Sequence, residues 1–221
     1  MCNNEKINAN MANIKAIGET ALQDTITNQK DKKVIWITGD NSLMLLQMAL
    51  DIAKSYSNSP YVCSECSKPW EDYNDESVVI LNDFTGLHPV DYRQFMDLTN
   101  PFLQGLFVSV RYRNKRVNPD VIIVTSGFTP REYYGMSHEF IKPKYKFLKP
   151  KYKFLRERIT CCIQVDSKNI SKLNLMPLGV DDCIDPSYTC KNPYIYMDDD
   201  TDKVSNAIDT YFDALKAMPE P

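Results

Sequence analysis

Three groups of residues in this 221-residue chain have types and spacings that could do chemistry. The first is KVIWITGDNSLMLLQMALDIAKSY, residues 33–56. It reads as a buried strand, a tight turn at Gly39 and a helix, the order that opens a nucleotide-binding α/β unit. A P-loop phosphate cradle has Gly, four residues, then Gly-Lys-Ser/Thr. Counted from Gly39, those last three positions fall on Met44, Leu45 and Leu46. The scaffold pattern is present, but the chemical positions are apolar. The second group is Asn82-Asp83, closing the apolar run SVVIL at 77–81. An acid at such a tip can hold a metal ion or polarise water. The third is a cluster of cations: Arg111, Arg113, Lys115 and Arg116 lie within six residues, interleaved with Tyr112. Closely spaced cations can track phosphates, and a ring or a guanidinium plane can stack on a base.

The elements that must position these groups follow from hydrophobic patterning. Strands are predicted at 34–38, 61–63, 77–81 and 121–125, with a fifth at 158–165. Helices are predicted at 42–56 and 89–97. In the first, Leu43, Leu46, Ala49, Leu50 and Ala53 recur at helical spacing. Buried strands alternating with helices predict an α/β fold with a parallel sheet covered on both faces. Ligands gather beyond the carboxyl ends of such strands. Here those ends are Gly39, Asn82-Asp83 and Ser126-Gly127.

Around this core, residues 1–32 read as a mobile polar leader with a weak helix at 11–27. The segment KPKYKFL at 142–148 repeats unchanged at 149–155, a tandem duplication or an assembly artefact that adds a second basic-aromatic patch. Residues 166–193 read as loop. A last amphipathic helix carries Val204, Ala207, Ile208, Tyr211, Phe212 and Leu215 on one stripe. It suits packing on this domain better than binding a partner.

Composition narrows the classes. At 43% hydrophobic the chain can bury a sizeable core, and a net charge of −3 supplies no general field for nucleic acid, so any basic footprint is local. No apolar run approaches the ~20 residues of a membrane span. The N-terminus lacks an apolar signal region, so the expected location is intracellular, cytoplasmic or nuclear. Seven cysteines then read as reduced thiols. Cys63-x-x-Cys66 has metal-like spacing but no second pair: Cys161 and Cys162 are adjacent, and Cys183 and Cys190 stand seven apart. No metal site is expected from them.

Four blocks resemble the helicase domain of Rep-type replication initiators, superfamily 3 P-loop helicases of small circular DNA replicons grouped with viral RNA helicases. They are VIWITG (34–39), PWEDYNDESVVILNDFTG (69–86), FVSVRYRNKRVNPDVIIVTSGFTPREYY (107–134) and FLRERI (154–159). The resemblance spans 33–165 and implies a P-loop NTPase-like sheet, with 166–221 as a loop-rich extension ending in a helix. It implies DNA replication by ATP-driven strand unwinding, ATP and Mg²⁺ as cofactors, ring-shaped homo-oligomers, and single-stranded or duplex nucleic acid as partner.

Carried over residue by residue, the resemblance puts Gly39, Asn41, Ser42, Asn82 and Ser126 around a nucleotide. Asp83 matches the residue that polarises the attacking water. Arg158, with Arg156 second, matches the arginine that reaches a neighbour's nucleotide. Arg111, Tyr112, Arg113, Lys115 and Arg116 form the loop that grips the strand. The departures are chemical. Leu45 stands where Lys neutralises phosphate, Leu46 where a hydroxyl holds Mg²⁺, and Asn82 where the first acid belongs. Each lost charge-assisted hydrogen bond is worth about 1.5–3 kcal/mol. The sensor position is Gly127, where viral members often carry Asn. A His-hydrophobic-His nickase motif is absent: His88 and His138 lie fifty apart. The expectation is a degenerate domain that keeps nucleic-acid binding and has lost ATP hydrolysis, with no cofactor. Its alternatives are an active ATPase with atypical phosphate binding, a protein-interaction module using the terminal helix, and a cysteine-based metal module.

Overall fold

The computed structural model describes residues 32–63, 68–85, 88–103, 105–111, 113–140 and 152–196. Leader residues 1–31, the first heptad copy, Cys66, Tyr112 and the terminal amphipathic stripe lie outside the described residues.

Strand β1 (Lys33–Gly39) is a run of large apolar residues buried on both sides. Helix α1 (Ser42–Lys54) starts two residues after it, where Asn41 Oδ1 accepts the Met44 N–H at 3.1 Å. Beyond it run β2 (Tyr61–Cys63), β3 (Val78–Leu81) and helix α2 (Tyr92–Leu98). The α2 start is set by a capping box, in which Asp91 accepts from Gln94 N at 2.8 Å and the Gln94 side chain accepts from Asp91 N at 3.3 Å. The hairpin β4 (Leu106–Val110) and β5 (Arg113–Val117) follows, then β6 (Val121–Ser126) and helices α3 (Pro130–Phe140) and α4 (Tyr152–Arg158). The chain then adds β7 (Cys161–Val165), β8 (Asn169–Asn174), β9 (Cys183–Lys191) and a 3-10 turn (Pro193–Tyr196).

Seven strands form one sheet in the order β2-β3-β6-β1-β7-β8-β9, and β4-β5 is a separate ribbon. The strands from β2 to β7 are parallel; β8 and β9 are antiparallel additions. The fold is therefore α/β with a mostly parallel mixed sheet. The connection through α1 runs from β1 toward β2, and that through α3 and α4 runs the other way, from β6 to β7. Crossovers of a single hand moving in opposite directions must lie on opposite faces. The core is divided accordingly. Leu45, Met48 and Ile52 of α1 meet Ile35, Ile37, Ile80, Ile123 and Ile163. On the other face Tyr133, Tyr152 and Leu155 meet Trp36, Val79, Val124 and Cys162.

Two expectations are corrected. Residues 166–193 are not all loop: 169–174 and 183–191 are strands, and β8 buries Ile170, Ser171 and Leu173, leaves Asn169, Lys172 and Asn174 half exposed, and pairs with both β7 and β9. The long edge strand β9 is polar, carries Pro186 and breaks register between Ser171 and Lys172, which hides it from pattern reading and blunts the edge. The other correction is the phase of α1. Its buried residues are Leu45, Met48, Ala49, Ile52 and Ala53, while Leu43 is exposed. LMLLQMAL supports more than one apolar stripe, and the position of the Asn41 cap beneath β1 selects this one.

Loop 175–182 is tied back to α3. Arg131 donates to both carboxylate oxygens of Asp182, at 2.7 and 3.3 Å, and to the Met176 carbonyl at 3.1 Å, and its guanidinium lies over the Tyr152 ring. This charge pair raises the Arg131 pKa further. The described part of the second heptad copy, residues 152–155, thus contributes to the core, with Tyr152 and Leu155 buried and Phe154 half exposed. Leu155→Ala is expected to lower stability by ~2–5 kcal/mol. Phe154→Ala should change it by ~0.5 kcal/mol or less. Urea unfolding midpoints of the two variants check the contrast.

Candidate functional site

Parallel register brings the three polar tips together. Ile37 and Thr38 of β1 sit beside Thr125 and Ser126 of β6, and Leu81 of β3 beside Val124. The tips bond to one another. Thr125 Oγ1 donates to Asn82 Oδ1 at 2.9 Å and accepts the Asp83 N–H at 2.9 Å. Ser126 Oγ donates to the Phe84 carbonyl at 2.6 Å and accepts the Phe128 N–H at 3.1 Å. Asp83 holds a left-handed φ of 53°, tolerable for Asp, and its side chain is exposed. Asn82 and Ser126 are therefore engaged in closing the sheet end.

The turn after β1, where the resemblance would place a phosphate cradle, is closed by packing. A Cβ on Gly39 would lie 2.4 Å from the Val165 carbonyl oxygen, so glycine is required by the approach of β7. Leu45, at the lysine position of the motif, is 2% exposed, and its Cδ2 borders the same spot at 3.3 Å. Only Asp40 and Asn41 separate β1 from α1, so Ser42, Leu43 and Met44 are helical where a cradle needs open loop. Asn41 is the cap, and Ser42 is an exposed first-turn residue. These residues do not fit ATP and Mg²⁺: no side chain supplies a charge to phosphate, and the loop is too short to turn its N–H groups inward.

Arg158 is not brought to Asp83. It ends α4 just before β7 begins, and Thr160 Oγ1 there accepts the Val34 N–H at 3.1 Å. That is the amino edge of the parallel strands, opposite the tip holding Asp83. Burial lowers its pKa, with Glu157 opposing. Arg156 shares this edge.

The basic group is held together, with one member turned inward. β4 and β5 pair from Leu106↔Val117 to Val110↔Arg113, with two residues, 111 and 112, between them in the chain. Leu106, Val108 and Val117 face the core. Gly105 at the root has φ 102°, and a Cβ there would lie 2.6 Å from the Val117 carbonyl, so the entry into β4 also demands glycine. Lys115 points inward: its Nζ donates to the carbonyls of Trp70, Glu71 and Tyr73 at 3.2, 2.8 and 2.6 Å. Three main-chain acceptors use all three ammonium protons. Lys115 is thus a clasp between hairpin and turn, where a strand-gripping cation was expected. Arg111, Arg113 and Arg116 are exposed. The Arg111 N–H donates to Glu71 Oε2 at 3.4 Å.

Among the described residues, no group of three or more His, Cys, Asp or Glu could hold a metal ion. No helix among them is long and apolar enough to cross a membrane. Cys63 and Cys162 are buried, and burial pushes the Cys161 thiol up to about 11. At pH 8 Cys183, exposed on β9, is expected to react with a thiol reagent before Cys161 and Cys162, which react only on unfolding. Mass mapping of timed alkylation checks the order. The variant Met44→Gly/Leu45→Lys/Leu46→Ser is expected to bind no ATP·Mg²⁺ in equilibrium dialysis, because α1 still starts at Ser42. Burying a lysine at position 45 should also destabilise it by several kcal/mol, on the order of the cost of an unpaired buried charge. No protein-family model and no curated protein matches the chain, so its site is read from its own residues.

Proposed function

We propose that this chain is a nucleic-acid-binding module descended from a Rep-type helicase domain, working without ATP hydrolysis. The β4–β5 hairpin is its contact surface. One observation carries the reading: residues 106–117 hold four cations and no acid, in a ribbon separate from the main sheet. Three arginines are exposed there while the lysine, midway along β5, clasps the ribbon to the carbonyls of Trp70, Glu71 and Tyr73. Guanidinium groups pair with phosphate in bidentate fashion and stay charged at any working pH. In a chain of net charge −3, this is a local cationic surface of the kind that tracks a nucleic-acid backbone.

The same reading accounts for the rest of the tip. With Gly39 and Leu45 closing the cradle, the sheet serves as scaffold. Asp83 keeps its acid but lacks a phosphate to act on. Any role of Arg158 toward a nucleotide would concern a neighbouring copy in a ring, since its own Asp83 is at the other sheet edge. The location that suits this function is intracellular, cytoplasmic or nuclear.

Binding of a labelled oligonucleotide over a salt series tests it. Arg111→Ala/Arg113→Ala should weaken binding and reduce the slope of log affinity against log salt by about 1.4 on a single strand, about 0.7 per lost phosphate contact. Lys115→Met should instead lower the unfolding midpoint and leave the slope within experimental error of wild type, provided the folded fraction is matched. Unchanged slope in the double variant would remove the hairpin from the function.

A further inference from the structure

We propose that Phe107 is a base-stacking residue and that the hairpin's ligand is therefore an unpaired strand. The inference rests on the nucleic-acid reading above and adds a residue that the cation cluster alone does not indicate. On β4 the pattern LFVSV alternates inward Leu106, Val108 and Val110 with outward Phe107 and Ser109. An outward position on a half-buried ribbon ordinarily carries a polar residue. Phe107 is 74% exposed, so its ring contributes little to the core.

Its surroundings indicate the partner. Directly across the ribbon stands Arg116 (Phe107↔Arg116), and opposite-strand Cβ atoms on one face lie about 4.5–5.5 Å apart. Next along the same face, Ser109 Oγ donates to Asn114 Oδ1 at 3.1 Å. The outer face thus offers a bare ring, a guanidinium beside it and two polar side chains, with Arg111 and Arg113 at the turn end. At the turn end Glu71 accepts from the Arg111 main chain. A phenyl ring has no donor or acceptor with which to read a base edge. What it can do is lie against the face of a base, and in a duplex those faces are already covered by neighbouring bases. A ring flanked by cations therefore fits an unpaired base between two phosphates. An apolar protein surface would use the ring but bring no anionic group to the arginines around it.

The test compares Phe107→Ala, Phe107→Trp and Arg111→Ala/Arg113→Ala in the full chain, by anisotropy of a labelled oligothymidine and of a blunt duplex of equal length. Phe107→Ala should weaken single-strand binding roughly tenfold or more, the scale of one lost base–aromatic stack, and leave duplex binding unchanged. Phe107→Trp should bind as wild type, with its fluorescence quenched by the strand. Both native tryptophans, Trp36 and Trp70, are buried at 0% and 3% exposure, so the quench reports on position 107. If Phe107→Ala binds the single strand like wild type while the arginine variant is weakened, stacking is overturned and the hairpin reading stands. Equal weakening on both ligands would also overturn it, making the ring a general apolar contact. Failure of the wild type to bind either ligand would overturn both.

Discussion

The approach of the Val165 carbonyl to Gly39 governs the end of the sheet. β1 lies between β6 and β7, and its last residue pairs with Val165 so closely that no side chain fits. The glycine that would open a phosphate cradle is occupied by strand packing. Leu45 closes the remaining space, and α1 has no slack to unwind because two residues join it to β1. Leu45 in place of lysine also removes a charge that would have been expensive to bury there. The apolar tip is self-consistent as structure.

Next to it, Thr125 does a complementary job. Its single hydroxyl links the Asn82 side chain to the Asp83 main chain, and Ser126 binds the next residue, Phe84. Both residues are buried, where an unmet hydroxyl is unfavourable, so these bonds keep β3 and β6 in step at their ends. An amide at position 82 suits this because it stays neutral beside the threonine. The hairpin is fastened separately, by the Gly105 turn and the Lys115 clasp. Its rigid root lets a short ribbon present arginines and a phenyl ring in fixed relation.

Much of this architecture was legible in the sequence. VIWIT, SVVIL and VIIVT are apolar runs of five residues, rich in Val and Ile, between polar breaks, and their shortness and β-branched content mark them as strands buried on both faces. The convergence of their tips followed from parallel topology. The phase of α1 was not legible, because Leu and Met occupy nearly every turn and periodicity cannot choose between stripes. β8 and β9 were missed because Pro186 and a register break interrupt a polar edge strand whose only support is pairing to β7 and β8. Lys115 was misread for a different reason. Its acceptors are carbonyls 42 to 45 residues earlier in the chain, and a charge cluster gives no sign of which member turns inward. Phe107 did leave a signal, a phenylalanine on the polar phase of LFVSV, but beside three arginines it attracted no notice.

The central claim is that ligand recognition has left the sheet tip and resides on the ribbon. Amide chemical shifts of the isotope-labelled chain, titrated in parallel with ATP·Mg²⁺ and with a short single strand, test it most directly. The account predicts that the strand perturbs residues of β4 and β5, while ATP·Mg²⁺ leaves the amides from Gly39 to Leu46 in place. Saturable shifts at Gly39, Leu45 and Asp83 with nucleotide, and none on the ribbon with the strand, would contradict it.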